Sequence, residues 1–527
     1  MIDGTGRDRQ LSDILLENGK IARIAQPDSI DPSEIEDVIM CEEDWIAAPG
    51  FIDTHSHADF SLFYDPAQKT KLLQGVTTEI EGNCGVSAAP THPDYIEHFM
   101  SNMEFLGSDS CIPRETLLGF KKFSDYLKAV ENLELGINSG FLIGHGTVRM
   151  SVMGMDGRKP SSAELDKMIE LVSEGMEHGA LGMSSGLIYP PGVFADSDEL
   201  LELCKVVAAH NGVYSTHMRN ESYQMLASVQ ESLDIARDAK CRVLISHHKV
   251  TAKERWGDTA TSLKMIENAN AAGFFVRADV YPYAACGTAM SSLIPPEFHA
   301  GGIKSLLRRL SSSEDRKQIE ARILSDDTDW DNPSKAAGLE NILIIDEQKN
   351  PAAFGKTIAE YAQSRGISDV DALFELLIEN KGDSVCIEFC MNEQDVQRVL
   401  AHPLTMIGSD GCAALPGLSF HPRTTGTFPR VLGRYVREHK IFTLEEAVRK
   451  MTGLPAETYR LSGKGFLKEG YDADLVLLNH KTVTDKSDYK NAALPPDGIE
   501  YVILGGRIAI HKNRYTGDAR GQVVKNI

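Results

Sequence analysis

Five separated stretches of this chain end in side chains able to hold a metal ion or move a proton. Asp53-Thr54-His55-Ser56-His57 carries histidines at alternate positions, which puts both imidazoles on one side of an extended segment. Cys84 stands in the glycine-flanked GNCG, His217 closes GVYSTH, His247 follows the apolar run of RVLISHH, and Asp410 lies in LTMIGSDG. Taken singly, each has a structural reading: a hydrogen-bonded core histidine, a small buried thiol, a turn aspartate. Taken together, six ligand-type residues at the ends of separate β-rich runs are hard to obtain without a metal. A thiolate among imidazoles favours zinc, whereas magnesium or calcium would call for oxygen donors. Three protein ligands leave a position for water, whose pKa a bound zinc lowers from roughly 16 to about 7. Asp410 is the candidate to relay that water's proton, and Cys84 reads as a thiolate ligand rather than a nucleophile.

The elements that position these residues recur in a regular order. WIAAPGFID, GVTTEIEG, NSGFLIGHG, GALGMSSG, GVYSTH, RVLISHH, GFFVRADVYPY and LTMIGSDG read as eight strands. Helical patterns separate them, as in SSAELDKMIELVSEGMEHG, where Ser161 and Glu164 make a capping box and Gly179 stops the helix. This α/β alternation predicts a (β/α)8 TIM-like barrel rather than an open doubly wound sheet, and a barrel builds its active site at the C-terminal ends of its strands. Both chain ends are β-rich, with hairpin signals at Asn18-Gly19 and Gly505-Gly506. Residues 1–48 and 466–527 are therefore expected to form one small β-sandwich domain beside a barrel of residues 49–465. About 120 residues separate the seventh and eighth runs, far beyond a normal βα loop, so an insertion is expected there over the active face, with its core at about 287–345.

Composition narrows the class of function. The 527 residues carry 54 basic and 76 acidic side chains, a formal charge of −22, which argues against nucleic-acid or anionic-membrane partners. No apolar run reaches the length of a bilayer span and the first residues lack the order of a signal peptide, so the sequence reads as cytoplasmic. Nine cysteines without a repeating framework fit a reducing compartment. No phosphate loop or dinucleotide fingerprint is present, and nothing in the sequence decides between a monomer and a homo-oligomer.

The stretches GFIDTHSHAD, GNCGVSAAP, STHMRNE, ISHHK, DVYPY, IGSDG and HPRTTGTFPRVLGRYVRE together resemble the N-acyl-D-amino-acid deacylase (D-aminoacylase) family of the amidohydrolase superfamily, in order, from residue 2 to about 520. The resemblance implies a zinc-bearing barrel with a small β-sandwich. It implies that Cys84, His217 and His247 hold a tight zinc, that His55, His57 and Asp410 form a second, weaker metal position, and that Asp410 is the catalytic acid/base. Lys249, Tyr281 and Arg423 would contact the carboxylate of an N-acyl amino acid, with Tyr189 lining the pocket; an arginine fork suits a carboxylate. D over L selectivity rests on the resemblance alone.

Three departures stand out. The chain opens at Ile2-Asp3-Gly4, without the strand usual before that stretch, so the sandwich is expected to lack an edge strand. The turn after DVYPY reads Ala285-Cys286-Gly287-Thr288 where the family commonly has Gly-Ser-Thr, which makes Thr288 a candidate substitute for the serine. The arginine typical of members selective for acidic D-amino acids is missing from SSLIPPEFHAGG, so a hydrophobic side chain such as Leu, Met or Phe is expected. His145 is expected to support the site from behind, His248 to point away from it, and Cys386 and Cys390 to be core thiols. The rival readings are a cyclic-amide hydrolase of the dihydroorotase or hydantoinase kind on the same scaffold, and a non-catalytic barrel.

Overall fold

The computed structural model describes all residues except 32, 34, 104–105, 107–110, 413, 415–419, 519 and 527. Eight parallel strands form its centre: β1 (Phe51–Asp53), β2 (Val76–Glu81), β3 (Asn138–Gly144), β4 (Gly182–Gly186), β5 (Val213–His217), β6 (Arg242–Ile245), β7 (Val276–Val280) and β8 (Thr405–Ile407). They pair in sequence order, with helices such as Ser162–Glu177, Ser197–Ala209, Met225–Ala239 and Thr259–Ala271 between them. The (β/α)8 barrel read from the sequence is the observed fold. The strands are buried almost throughout, which is why they read as near-continuous apolar runs rather than alternating ones. The Ser161 hydroxyl accepts from the Glu164 backbone N–H while the Glu164 carboxylate accepts from that of Ser161, the capping box that starts the helix.

The seam between β1 and β8 is closed by polar groups. Ser56–His57 and Gly411–Cys412 make a short parallel pair, and the Asp53 carboxylate accepts from the Ser409 backbone N–H at 2.8 Å. Lys71, 2% exposed, places Nζ 2.5 Å from Asp53 Oδ2 and 2.7 Å from Ser409 Oγ. Lys71→Met would leave Asp53 buried without its cation, and is expected to cost about 3–5 kcal/mol in urea unfolding.

The run WIAAPGFID divides into two strands. Trp45–Pro49 pairs antiparallel with Leu475–Asn479 in a five-stranded sheet, and β1 begins immediately afterwards in the barrel. Gly50 marks the crossing: a Cβ there would meet Thr77 Oγ1 at 2.1 Å. The five-stranded sheet continues through Ile499–Leu504, Arg507–His511 and Arg514–Tyr515. Against it lies the hairpin Asp13–Glu17/Lys20–Ala25, packed through Ile21, Leu467, Leu475 and Ile503. The stretch 466–527, read as one sheet domain, does not stay together. Val523–Val524 leaves it to pair in parallel with Ser139–Gly140 of β3, and Val524 joins Ile52, Ile80, Leu142, Leu181, Val213, Leu244 and Met406 on the barrel floor.

The insertion between β7 and β8 has its own apolar core, including Leu306, Leu310, Ile319, Leu373 and Leu377. It runs beyond the expected 345. Its three-stranded antiparallel sheet has Val385–Glu388 as the central strand, between Cys286–Ala289 and Ile342–Ile344, so the layer is not complete until residue 388. Among the described residues, no helix is long and apolar enough to cross a membrane.

Candidate metal centre

Three of the six ligand-type residues sit just past a strand end in the left-handed backbone region: Cys84 (φ 51°) after β2, His247 (φ 36°) after β6 and Asp410 (φ 50°) after β8. This conformation costs non-glycine residues of order 1–3 kcal/mol each and is held by the surrounding structure. At Cys84 the flanking glycines make the bend feasible. A Cβ on Gly82 would meet Leu142 O at 2.0 Å and one on Gly85 would meet Gly186 N at 2.7 Å, and both have positive φ.

The bends bring the donors together. Cys84 Sγ lies 3.3 Å from His55 Nε2, 3.3 Å from His247 Nε2 and 3.7 Å from His217 Nδ1. His57 Nε2 is 3.2 Å and His55 Nε2 3.6 Å from Asp410 Oδ1. Two donor sets result, Cys84/His217/His247 and His55/His57/Cys84/Asp410, each with its atoms within 4.8 Å of one another. Cys84 therefore belongs to both sets, whereas the resemblance gave it to the first alone. Zinc bonds of about 2.0–2.3 Å in a tetrahedron put donor atoms roughly 3.3–3.8 Å apart, so these residues fit such an ion. Burial keeps His217 and His247 well below the ordinary histidine range, in the neutral form a ligand needs, and pushes the Cys84 thiol up. A cation entering this set must displace the thiol proton. Burial opposes charge on Asp410, but Arg423 and the histidines beside it hold its carboxyl well below the usual range.

Two carboxylates aim the imidazoles, and neither was singled out in the sequence. Glu221 Oε1 lies 3.0 Å from His247 Nδ1 and Oε2 lies 3.6 Å from His217 Nε2, on the nitrogens facing away from Cys84. A donating His247 Nδ1–H leaves its Nε2 lone pair directed at the site. Asp279 of β7 accepts from the His247 backbone N–H at 2.5 Å and reaches within 3.6 Å of His55 Nδ1. The available signal was spacing: Glu221 stands four residues after His217 in STHMRNE, and Asp279 opens DVYPY. Glu221→Gln is expected to weaken divalent-cation affinity by about 10–100-fold, measured by competition with a chromophoric chelator.

One cavity of about 170 Å³ exposes five of the donors and all five residues read as substrate contacts; His55 is fully buried. Lys249 Nζ sits 2.7 Å from both Glu221 oxygens, and although burial opposes its charge, Glu221 keeps its pKa raised. Arg423 Nη1 is 2.8 Å from Asp410 Oδ2 without hydrogen-bond alignment, while Nη2 donates to Gly287 O at 3.1 Å. Its guanidinium also lies over the Tyr281 ring, 4.8 Å from the centroid. Tyr189 and Thr288 share a hydroxyl hydrogen bond of 3.0 Å, and the Tyr189 ring packs edge-on to His217. His248 turns outward to Ser262 Oγ at 2.7 Å, and His145 is bonded to Glu199 at 2.8 Å. Cys386 is a core thiol of the insertion, but Cys390 lies in a different cluster with its sulfur 3.5 Å from Cys286.

Known proteins share this architecture along the whole chain. The amidohydrolase family model matches residues 43–297 and 319–510. The D-aminoacylase of Alcaligenes xylosoxydans xylosoxydans is 34% identical, over 99% of this chain and 96% of its own. The N-acyl-D-aspartate deacylase of the same organism is 33% identical, over 99% and 93%. The structure of N-acyl-D-glutamate deacylase from Bordetella bronchiseptica, complexed with zinc and a phosphonate mimic of the tetrahedral intermediate, superposes with a TM-score of 0.81 at 31% identity, covering 99% of this chain and 97% of that one.

Proposed function

The chain belongs to the N-acyl-D-amino-acid deacylase branch of the amidohydrolase family, and we propose that it hydrolyses the amide bond of N-acyl-D-amino acids with hydrophobic side chains. The observation that carries this reading is one cavity holding a Cys-His-His donor set and, beside it, the buried cations Arg423 and Lys249. An amide to be cut and a carboxylate to be held are the two ends of such a substrate.

Cys84, His217 and His247 would hold the tight zinc, with His55, His57 and Asp410 at a weaker second position. When bound, the ion supplies Lewis acidity and lowers the pKa of water. Asp410 takes the proton of the attacking water and returns it to the departing amine, so no net proton is left on the enzyme. Arg423 above all, with the histidines beside it, keeps Asp410 ionised against burial and ready to accept. Arg423 has an N–H that no protein acceptor uses, and this fork is the seat for the substrate carboxylate. Lys249 and Tyr281 flank it, the phenol kept protonated by burial. Tyr189 and Thr288, joined by their hydroxyls, line the same cavity.

The hydrophobic preference rests on the cavity's charges as well as on the missing arginine. Val86, Leu106, Ile188, Ile345 and Ile387 contribute apolar wall. Lys349, the remaining lysine among the described lining residues, is matched by Asp346 and Asp383, which leaves an acidic side chain without a free cation.

The test is amine release from N-acetyl amino acids of both configurations, using zinc-analysed protein. Release from the D-Leu, D-Met or D-Phe derivatives and not from their L forms is the expected result. Zinc present with ring opening of a cyclic amide, and no release from any linear substrate, would overturn it. Arg423→Lys exchanges a fork for a point charge and is expected to lower kcat/KM by about 10–100-fold, chiefly through KM, in steady-state assays.

A further inference from the structure

A second cluster of ligand-type side chains, two thiols and a carboxylate, reaches the wall of the same cavity and shares no residue with the sets at the strand ends. Cys286 faces Glu388 across the antiparallel pair Cys286–Ala289/Val385–Glu388, so the two side chains share a face. Cys390 follows Glu388 by two positions. Its sulfur lies 3.5 Å from Cys286 Sγ, which in turn lies 3.3 Å from Glu388 Oε2. Glu388 is 4% exposed and its other oxygen, Oε1, has no hydrogen-bond partner. The nearby cation Lys249 is already engaged by Glu221.

We propose that Cys286, Glu388 and Cys390 bind a thiophilic divalent cation, Zn²⁺ in nature and Cd²⁺ as its probe, at a site separate from the catalytic donor sets. The three donor atoms lie within 4.8 Å of one another, and the 3.5 Å and 3.3 Å separations from Cys286 are close to those of donors sharing one tetrahedral ion. Two sulfurs select zinc or cadmium over magnesium or calcium. Cys286 and Glu388 line the cavity, which gives the ion an entry path and water a fourth position. Burial pushes Glu388 up to about 7, and the neighbouring Cys390 sulfur, with burial, pushes the Cys286 thiol up. Binding releases the thiol protons and removes the cost of an unpartnered carboxylate. The ion would staple the insertion's edge strand Cys286–Ala289 to the segment leading into the helix Glu393–Ala401.

The experiment is a Cd²⁺ titration of the reduced, metal-free protein, reading the ultraviolet thiolate-to-cadmium charge-transfer band and bound metal by mass spectrometry. Wild type is expected to show the amplitude of three thiolates, Cys84 and this pair. Cys84→Ser is expected to keep two thirds of it, and Cys286→Ser/Cys390→Ser one third. A wild-type amplitude of one thiolate would overturn the site without recourse to any variant. So would an unchanged amplitude in the double variant. A Cys286–Cys390 disulfide persisting in reductant, with no cadmium taken up beyond Cys84, would also overturn it. The readout does not depend on turnover, so it fails separately from the proposed deacylation.

Discussion

Asp410→Asn is expected to lower kcat by about 10²–10⁴-fold while the protein retains its tight zinc. The amide keeps the shape of the carboxylate and its distance from His57, but it cannot accept the proton of an attacking water. The zinc is expected to stay because Cys84, His217 and His247 make a three-donor group that does not include Asp410. Arg423 loses its counter-ion in the same change, so the variant is checked for native circular dichroism before kinetics. Near-full turnover with zinc bound would remove Asp410 from the proton-transfer role. Loss of zinc together with activity would make it a ligand of the essential ion instead.

Cys84→Ser gives the opposite pattern. Cys84 is the one donor common to both sets, and a neutral hydroxyl does not replace a thiolate on zinc. Zinc content at the strand-end donors is expected to fall well below one equivalent, and kcat/KM by on the order of 10³-fold or more, the several kcal/mol that a Lewis acid contributes. The fold should survive. The bend at residue 84 is secured by Gly82 and Gly85 against the backbones of β3 and β4, and a serine accepts the same φ at no greater cost. A Cys84→Ser protein with wild-type activity and zinc would show that the ion is held elsewhere. Measured side by side, the two variants separate a residue that moves a proton from one that holds the metal.

The strands and the convergence of the six ligand-type residues were legible because barrel strands are buried on both faces and end in polar residues that the apolar run makes conspicuous. Glu221 and Asp279 were not, because a carboxylate announces itself as a partner of histidine only once the rings' outward nitrogens are located. The insertion's extent was hidden for a related reason. Val385–Glu388 looks like any short apolar run, and its partners lie about 100 residues and 40 residues earlier in the chain. WIAAPGFID read as one strand because nothing in its apolar pattern marks Gly50 as the change of sheet. That glycine is required by Thr77 of a different strand. Cys390 is the buried core thiol its neighbours in sequence suggest, but its approach to Cys286 was not legible, because the two sulfurs that meet at 3.5 Å are 104 positions apart.

The pairing of Val523–Val524 with β3 has a consequence for how the protein is made. The floor beneath Leu142, Leu181 and Val213 is finished by Leu454, Ala456, Tyr459, Leu461 and Val524, and the Gln522 backbone N–H donates to Asn138 Oδ1 across 384 positions. While the ribosome is still translating the insertion, the first seven strands can already have emerged, yet the underside of their partial barrel is open and greasy. Such an intermediate offers unpaired strand edges and apolar surface to its neighbours. Until Leu454, Tyr459, Leu461 and Val524 are available to cover that floor, the partly made barrel is expected to be exposed to aggregation.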